Sequence, residues 1–474
     1  MATLETTALV IGAGTGGYPC AIRLGQLGVP TILVEKAKAG GVCLNVGCIP
    51  SKALISASKT LEKGRHATAM GITFGDATVD MTAMQAWKGG IIQKLTGGVR
   101  MLVKANGATY REGTARFLGR DGDRTKVEIT NPDGSKDVVV AEHVVIATGS
   151  LPVEIPGFAP DGRFIVDSTG ALDLDRVPES FAVIGGGYIG LELGQTFQRL
   201  GSKLTVIEGL DRVLTAVDAD MAKLVARQIE KDGGRILTNA RAEGWREKDG
   251  KAAVQVRVGD RTEEVVADVV LVAVGRRPIT EGLDLAAVGL ATDDKGFVPV
   301  DACKQTKVPG IYAVGDVVGQ PMLAHKASHE GEVVAEVIAG KNAVDDARVI
   351  PAVVFTEPEI ASAGVGEDEA REKGLDVRVG KFPFAASGRA MAIGETNGFV
   401  KVVIDAKDDR VLGIHIAGPE ASDLISEAAL AIEMGAFAQD IALTVHPHPT
   451  LGEAVMEAAK HALGEAIHVQ NRRR

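Results

Sequence analysis

Cysteine, aromatic side chains, basic charge and long apolar runs are all scarce in this chain. Fifty-two basic residues against 62 acidic ones give a formal charge of −10, a balance that disfavours a general nucleic-acid partner or an anionic membrane surface. No apolar run approaches the length needed to cross a bilayer; "ALVIG" near the start is far too short. The N-terminus has neither a basic leading region nor a cleavage-type site. The default expectation is a soluble cytoplasmic protein with no nucleic-acid or membrane partner, and the C-terminal "RRR" reads as a solubilising tail. Only four cysteines occur in 474 residues, and Cys43 and Cys48 are the only two close together. A zinc site would want tighter spacing and a second ligand pair. A structural strut would be odd in the cytosol, where paired cysteines are usually catalytic or metal-binding.

Glycine, by contrast, is abundant: 58 residues without a collagen period, which suggests many tight turns and close backbone approaches to ligands. Hydrophobic content of 45% and charged content of 24% are ordinary for a globular protein. The length gives a soft expectation of about three domains with sizeable cores.

Two stretches look alike. "TALVIGAGTGGYPCAIRLGQLGVPTILVEK" from Thr7 and "SFAVIGGGYIGLELGQTFQRLGSKLTVIEG" from Ser180 both read as strand, glycine turn, helix, strand. Gly12, Gly14 and Gly17 form the first G-x-G-x-x-G, and Gly185, Gly187 and Gly190 the second; Glu35 and Glu208 close the two units. The first glycine permits the tight turn, the second lets backbone approach a pyrophosphate, and the third lets helix pack on strand. A carboxylate about 20 residues on can accept from a ribose hydroxyl. The residues after Glu208 supply no arginine until Arg212, so the second unit favours NAD over NADP.

"VVIATGS", ending around Gly149, and "VLVAVGRRP", around Gly275, read as buried strands suited to chain crossings. "GIYAVGDVVG" reads as a third strand, with Asp316 at its end beside a glycine, able to bind a polyol hydroxyl or simply to form a turn. From about Val349, alternating strands give way to the amphipathic helix "SDLISEAALAIEMGAF" and then to "TVHPHPTLGEAVMEAAKHAL", an α+β pattern.

In a regular helix, residues five apart have Cα atoms roughly 8–9 Å apart, whereas a disulfide wants about 4.4–6.8 Å. Cys43 and Cys48 can therefore bond only across a distorted segment, which Gly47 makes plausible, and a helix N-terminus nearby would stabilise a thiolate. A strained, closed loop is easily reduced; two buried inert thiols are the alternative. Cys20 and Cys303 have no partner pattern. A dithiol beside two dinucleotide units implies an electron path from sulfur to nicotinamide, which needs a carrier such as flavin between them. That gives FAD to one unit and NAD+ to the other.

"GGVCLNVGCIPSK" resembles the redox-active motif of the flavoprotein disulfide reductases, the class I pyridine nucleotide-disulfide oxidoreductases. "NVGCIPSK" with "LAHKASHEG" and "HPHPTLGEA" is similar to the dihydrolipoamide dehydrogenase branch, over essentially the whole chain. "AWKGGI", "FPFAASGRAM" and "ALGEAIHV" lean toward the bacterial enzymes of branched-chain 2-oxoacid dehydrogenase complexes. The resemblance implies an α/β fold with two Rossmann-like domains, for FAD and NAD, and a C-terminal α+β dimerisation domain. Its limits would be 1–149 for FAD, 150–275 for NAD, 276–347 returning to the FAD side, and 348–474 for the dimer interface. It implies that a Cys43–Cys48 disulfide oxidises protein-bound dihydrolipoamide, with Cys48 next to the flavin and Cys43 exchanging with substrate. Lys52 would lie by the flavin and pair with Glu192. Gly149, Asp316 and Ala324 would join Gly12, Gly14, Gly17, Glu35 and Lys52 at FAD, and Gly275 would join the second glycine set and Glu208 at NAD. His448 would be the base, held by Glu453, with His446 the weaker candidate. The base would reach the neighbouring subunit's disulfide in an obligate homodimer. The lipoyl domain would come on a partner, the acyltransferase core of a 2-oxoacid dehydrogenase complex.

Some positions depart from the pattern. Val42 replaces the usual threonine, Thr15 and Pro19 alter the first glycine helix, and Tyr188 is bulky for the second glycine loop. Pro19 falls in a first helical turn, where proline is tolerated, so FAD binding is expected to survive. Tyr188 is expected to pack, with covering of a nicotinamide pocket as the alternative. Other readings are a glutathione or mercuric reductase type of the same family, or a complex subunit whose disulfide only switches shape. The first would prefer NADPH, and the mercuric type would want further cysteines after Cys303, where the chain has none.

Overall fold

The computed structural model describes residues 2–471. The three terminal arginines read above as a tail lie outside the described residues. Five sheets form among the described residues. The first is built on Thr3–Ile11, whose inner residues Ala8, Leu9 and Val10 are wholly buried, as a strand covered on both faces requires. It pairs in parallel with Thr31–Glu35 on one side and Lys136–Ile146 on the other. Thr109–Glu112 extends one edge, and the antiparallel strands Arg124–Thr130 and Thr114–Asp121 extend the other. Ile311–Ala313 returns late in the chain to pair with Lys136–Ile146. The strand expected to end at Asp316 stops at Ala313; Asp316 sits in the 3-10 turn Gly315–Val318, because Gly315 at φ +81° turns the backbone out of extended geometry.

The second sheet is parallel throughout, in the order Arg235–Leu237, Lys203–Ile207, Ser180–Ile184, Val269–Val272, Ile165–Val166. A three-stranded antiparallel sheet, Ala240–Val258 with Arg261–Ala267, packs beside it. The two crossings pair with each other: Ser150–Pro152 runs antiparallel to Arg276–Pro278. From Ala352 to Gly418 a five-stranded antiparallel sheet forms, covered by the helices Ala421–Glu433 and Glu453–Leu463. The molecule is therefore α/β, with two doubly wound units and an α+β unit.

The two glycine turns share one hydrogen bond and the same close backbone contacts. The Gly12 N–H donates to Val34 O at 2.8 Å, and Gly185 N–H to Ile207 O at 2.9 Å. Gly12 and Gly185 have φ of +103° and +108°, and a Cβ on either would collide with the carbonyl of Ala147 or Ala273. A Cβ on Gly17 or Gly190 would collide with the carbonyl of Gly12 or Gly185. Each third glycine is thus a packing residue of its own turn.

One buried cation joins the second unit to the C-terminal one. Lys401, on the strand Phe399–Asp405 and 1% exposed, places Nζ 3.0 Å from Asp218, 2.9 Å from Asp220 and 3.0 Å from Glu367. Burial alone would raise the carboxyls of Asp218 and Asp220, but lysine contacts outweigh it and hold both below the usual range. Breaking such a cluster strands buried charge and costs about 3–5 kcal/mol. Lys401→Ala is expected to lower the thermal midpoint by several degrees, measured calorimetrically. Carboxyls depressed in the folded state stabilise above their unfolded pKa. The parent's contribution from this cluster should therefore fade as pH falls from about 4 through the depressed values.

Candidate active site

The second strand of the first unit, Thr31–Glu35, feeds a short helix, Gly41–Val46, and then the long helix Cys48–His66. Gly47 between them takes φ −144° and ψ −111°, outside helical space. A side chain there would press on Val42, whose carbonyl oxygen stands 3.0 Å from the Cβ position. The break brings Cys43 and Cys48 into hydrogen-bond contact and leaves Cys48 as the first residue of the second helix. Both are free thiols. The hydrogen bond from Cys43, opposed by burial and aided by the Lys52 charge, brings Cys48 down to about 7. The same hydrogen bond, together with burial, pushes Cys43 well above the ordinary thiol range. Its position at a helix N-terminus also favours Cys48 as the thiolate of the pair. Cys20 is fully buried and pushed up to about 12, and Cys303 donates to Ala343 O at 3.7 Å; neither approaches the pair.

Lys52 lies one turn on from Cys48. Its Nζ donates to Glu192 Oε2 at 2.8 Å, and Glu192, only 3% exposed, comes from the helix Tyr188–Leu200 of the second unit. Both line one cavity of about 590 Å³ that also takes in Gly12, Gly14, Glu35, Cys43, Cys48, Gly149, Asp316 and Ala324. That size is ordinary for a cofactor site. A Cβ on Gly14 would have only Gly41 Cα within reach, at 3.9 Å, so the missing side chain leaves room at the wall. Glu35 Oε2 accepts from Ala13 N at 2.7 Å and Oε1 from Ala37 N at 2.8 Å, which aims the carboxylate along the glycine turn. At the other end, Ser150 Oγ donates to Asp316 Oδ2, and Arg276 Nε donates to Ser150 Oγ at 2.8 Å. A cradle running from an open glycine turn past a fixed acid to a dithiol fits FAD. Gly17 lies behind this wall.

The second glycine turn repeats the arrangement. Glu208 Oε2 accepts from Gly186 N at 2.6 Å and Oε1 from Leu210 N at 2.7 Å, the counterparts of the Glu35 bonds. A Cβ on Gly187 would meet nothing within 4 Å, and Gly275 has φ +134°. Tyr188 does not pack away as expected. It is 39% exposed and lines the large cavity with Ile189 and Glu192, while burial of its hydroxyl end pushes its pKa up to about 12. It stands there as the first residue of its helix, right after the glycine turn.

His448 Nδ1 lies 2.9 Å from Glu453 Oε1, and Glu453 Oε2 accepts from Thr450 N at 2.9 Å. Burial raises the Glu453 carboxyl, but the Thr450 and His448 hydrogen bonds hold it below its ordinary value. The His448 side chain is 79% exposed. The His446 side chain, by contrast, is covered and held between Glu427 Oε1 at 2.9 Å and Thr444 O at 2.8 Å. His448 and Glu453 are not brought to the cavity, whose walls draw on residues 11–327 alone. Ser150, Arg276 and Phe355, whose N–H donates to Glu192 Oε1 at 2.9 Å, were not singled out from sequence. Their partners lie 126 or more residues away, and no local pattern marks them.

Comparison with known proteins agrees with this construction. Residues 6–331 match the family described as pyridine nucleotide-disulphide oxidoreductase, and residues 350–459 match its dimerisation domain. The chain is 48% identical to a dihydrolipoyl dehydrogenase of Geobacillus stearothermophilus over 466 residues, covering 98% of each chain. It is 49% identical to one of Bacillus subtilis, again over 98% of each. Among solved structures, LpdA from Mycobacterium tuberculosis superposes with a TM-score of 0.90 at 27% identity, covering 96% of this chain and 99% of that one. With its two glycine units, its dithiol cavity and a separate interface unit, the chain belongs to the pyridine nucleotide-disulphide oxidoreductase family.

Proposed function

We propose that this chain is a dihydrolipoyl dehydrogenase, oxidising protein-bound dihydrolipoamide to lipoamide with NAD+. The observation that carries the reading is the dithiol at the Gly47 break, set in one cavity with a cationic Lys52 and a dinucleotide-type glycine turn. Near-full-length identity to enzymes named for that activity supports it.

In the oxidised enzyme Cys43 and Cys48 would be joined. His448, its ring oriented by Glu453, takes a proton from one substrate thiol. The resulting thiolate attacks Cys43 Sγ, and the bond between Cys43 and Cys48 breaks with Cys48 leaving as thiolate. The second substrate sulfur, deprotonated in turn, displaces Cys43, which takes up a proton; substrate has lost two electrons and the cysteine pair has gained them. Cys48 is the sulfur suited to hold negative charge, through the Cys43 hydrogen bond, Lys52 and the start of its helix. When bound, FAD supplies a two-electron link between a thiolate and a nicotinamide. Gly12, Gly14, Glu35, Lys52, Gly149, Asp316 and Ala324 would hold it, with Gly17 closing the turn behind. Gly185, Gly187, Gly190, Glu208 and Gly275 would hold NAD+. The Glu208 carboxylate, fixed by two N–H donors, would accept from a ribose hydroxyl and repel a 2′-phosphate.

His448 must reach a cavity to which its own unit contributes no wall, so a homodimer completes the site. The interface unit exposes the apolar side chains of Leu430, Met434, Leu443 and Val445, the last 92% exposed, all within the matched dimerisation domain. Lipoyl domains on the acyltransferase core of a 2-oxoacid dehydrogenase complex would present the substrate, with the branched-chain type favoured by the C-terminal motifs. The domain limits given above and a cytoplasmic location belong to the same proposal; among the described residues no helix is long and apolar enough to cross a membrane.

His448→Gln should lower dihydrolipoamide turnover by about 10²–10⁴-fold while leaving NADH-driven reduction of an artificial dye intact; near-parental lipoamide turnover would remove His448 as base. In the two-electron-reduced holoenzyme, long-wavelength thiolate absorbance should grow as pH rises through about 7 and be absent in Cys48→Ser. Glu208→Ala should reduce kcat/KM for NAD+ by about 10–100-fold and narrow the preference over NADP+, read from initial rates with each nucleotide.

A further inference from the structure

The Lys52–Glu192 pair has a third member. Phe355 follows the strand Ala352–Val354 of the C-terminal sheet and meets the pair twice. Its backbone N–H donates to Glu192 Oε1 at 2.9 Å, and its ring centroid lies 4.4 Å from Lys52 Nζ. Glu192 gives its other oxygen to Lys52 at 2.8 Å. The ammonium is thus caught between a buried carboxylate and an aromatic face, and one residue fixes both.

The segment that carries Phe355 is itself pinned. Glu357 N–H donates to Gln195 Oε1 at 2.8 Å, and Gln195 Nε2 donates back to Glu357 O at 3.1 Å. Lys59 meets Glu359 Oε1 at 2.8 Å, and Ser422 Oγ donates to the other Glu359 oxygen at 2.9 Å. Lys52 and Lys59 share the cysteine helix, and Glu192 and Gln195 share the helix of the second glycine unit. Residues 355–359 therefore bind both helices to the interface unit. A free lysine stem has many rotamers, and a cation over a ring face is held in one region of them.

We propose that Phe355 is a positioning residue for the redox pair, its ring and N–H together holding Lys52 and Glu192 in the arrangement that faces Cys48. The inference rests on the reading of Cys48 as the thiolate of the pair. The groups acting on Cys48 are Cys43 from the preceding short helix, Lys52 from its own helix, and Glu192 and Tyr188 from the second glycine unit. Phe355 is uncharged, so its influence on the thiolate runs through Lys52 and Glu192.

The test is a pH titration of the long-wavelength thiolate absorbance in reduced holoenzyme. Phe355→Leu should move the midpoint upward by about half a unit, since Lys52 then spends less of its time facing the sulfur. Phe355→Tyr, which keeps the ring, should titrate like the parent. In a Lys52→Gln background, Phe355→Leu should cause no further shift, the signature of acting through that lysine. If Phe355→Leu does not fold, Phe355→Met keeps an apolar side chain without the ring and serves instead. A parental midpoint in the ring-less variant, or an equal shift with and without Lys52, would overturn the inference. A parent with no thiolate absorbance at any pH would instead overturn the reading of Cys48, and the inference with it. Absorbance present in the parent, lost in Cys48→Ser and unmoved by Phe355→Leu defeats the positioning role alone.

Discussion

A continuous helix would hold the sulfurs of residues five apart on different faces and too far apart to react with each other. This chain escapes that geometry at one residue, Gly47, whose backbone leaves helical space and lets a second helix start at Cys48. Much of the site follows from that break. It brings the two thiols together, gives one of them the favourable end of a helix, and sets Lys52 a turn further along the same helix, where its charge bears on Cys48. The Cys43 hydrogen bond and the Lys52 charge bring Cys48 down to about 7, while Cys43 is pushed the other way. In the proposed reading, the asymmetry would suit Cys48 to face the electron acceptor and leave Cys43 to exchange with substrate.

Around the break the protein uses one device twice. Glu35 and Glu208 each accept from the N–H of a residue 22 positions earlier and from one two positions later. The glycines at the two turns share their φ and the carbonyls that crowd them. The copies differ in what surrounds them. The first faces the dithiol cavity, whereas the second opens outward at Gly187 and presents Tyr188 to that same cavity from the far side. A cofactor on one turn and a co-substrate on the other would therefore meet near Cys48, Lys52 and Glu192.

What could be read from residues alone was what is local. The glycine spacings, the closing acids and the cysteine interval each depend on a handful of neighbouring positions, and the turn geometry they demand has few alternatives. The Gly47 distortion was legible for the same reason. Asp316 was placed on a strand because its flanking apolar run reads as one, and the positive φ of Gly315 ended that strand early. Tyr188, bulky for the second glycine loop, reads from sequence as a packing residue or a cover for a nicotinamide pocket; its place as first residue of a helix after an open glycine turn leaves it on a cavity wall. The contacts of Glu192 with Phe355, and of Lys401 with Asp218, join residues 163 and 183 positions apart. Nothing in either neighbourhood announces the other, and only the packed fold brings them together.

The ammonium of Lys401, sealed among three acids, has a bearing on movement as well as on strength. Sliding the nucleotide-carrying half past the interface half by one side-chain length would draw Asp218 and Asp220 away from Lys401 and leave the buried ammonium with Glu367, which lies on its own half. Such a joint behaves as a weld. Uncovering that ammonium makes parting of the two halves costly along this joint.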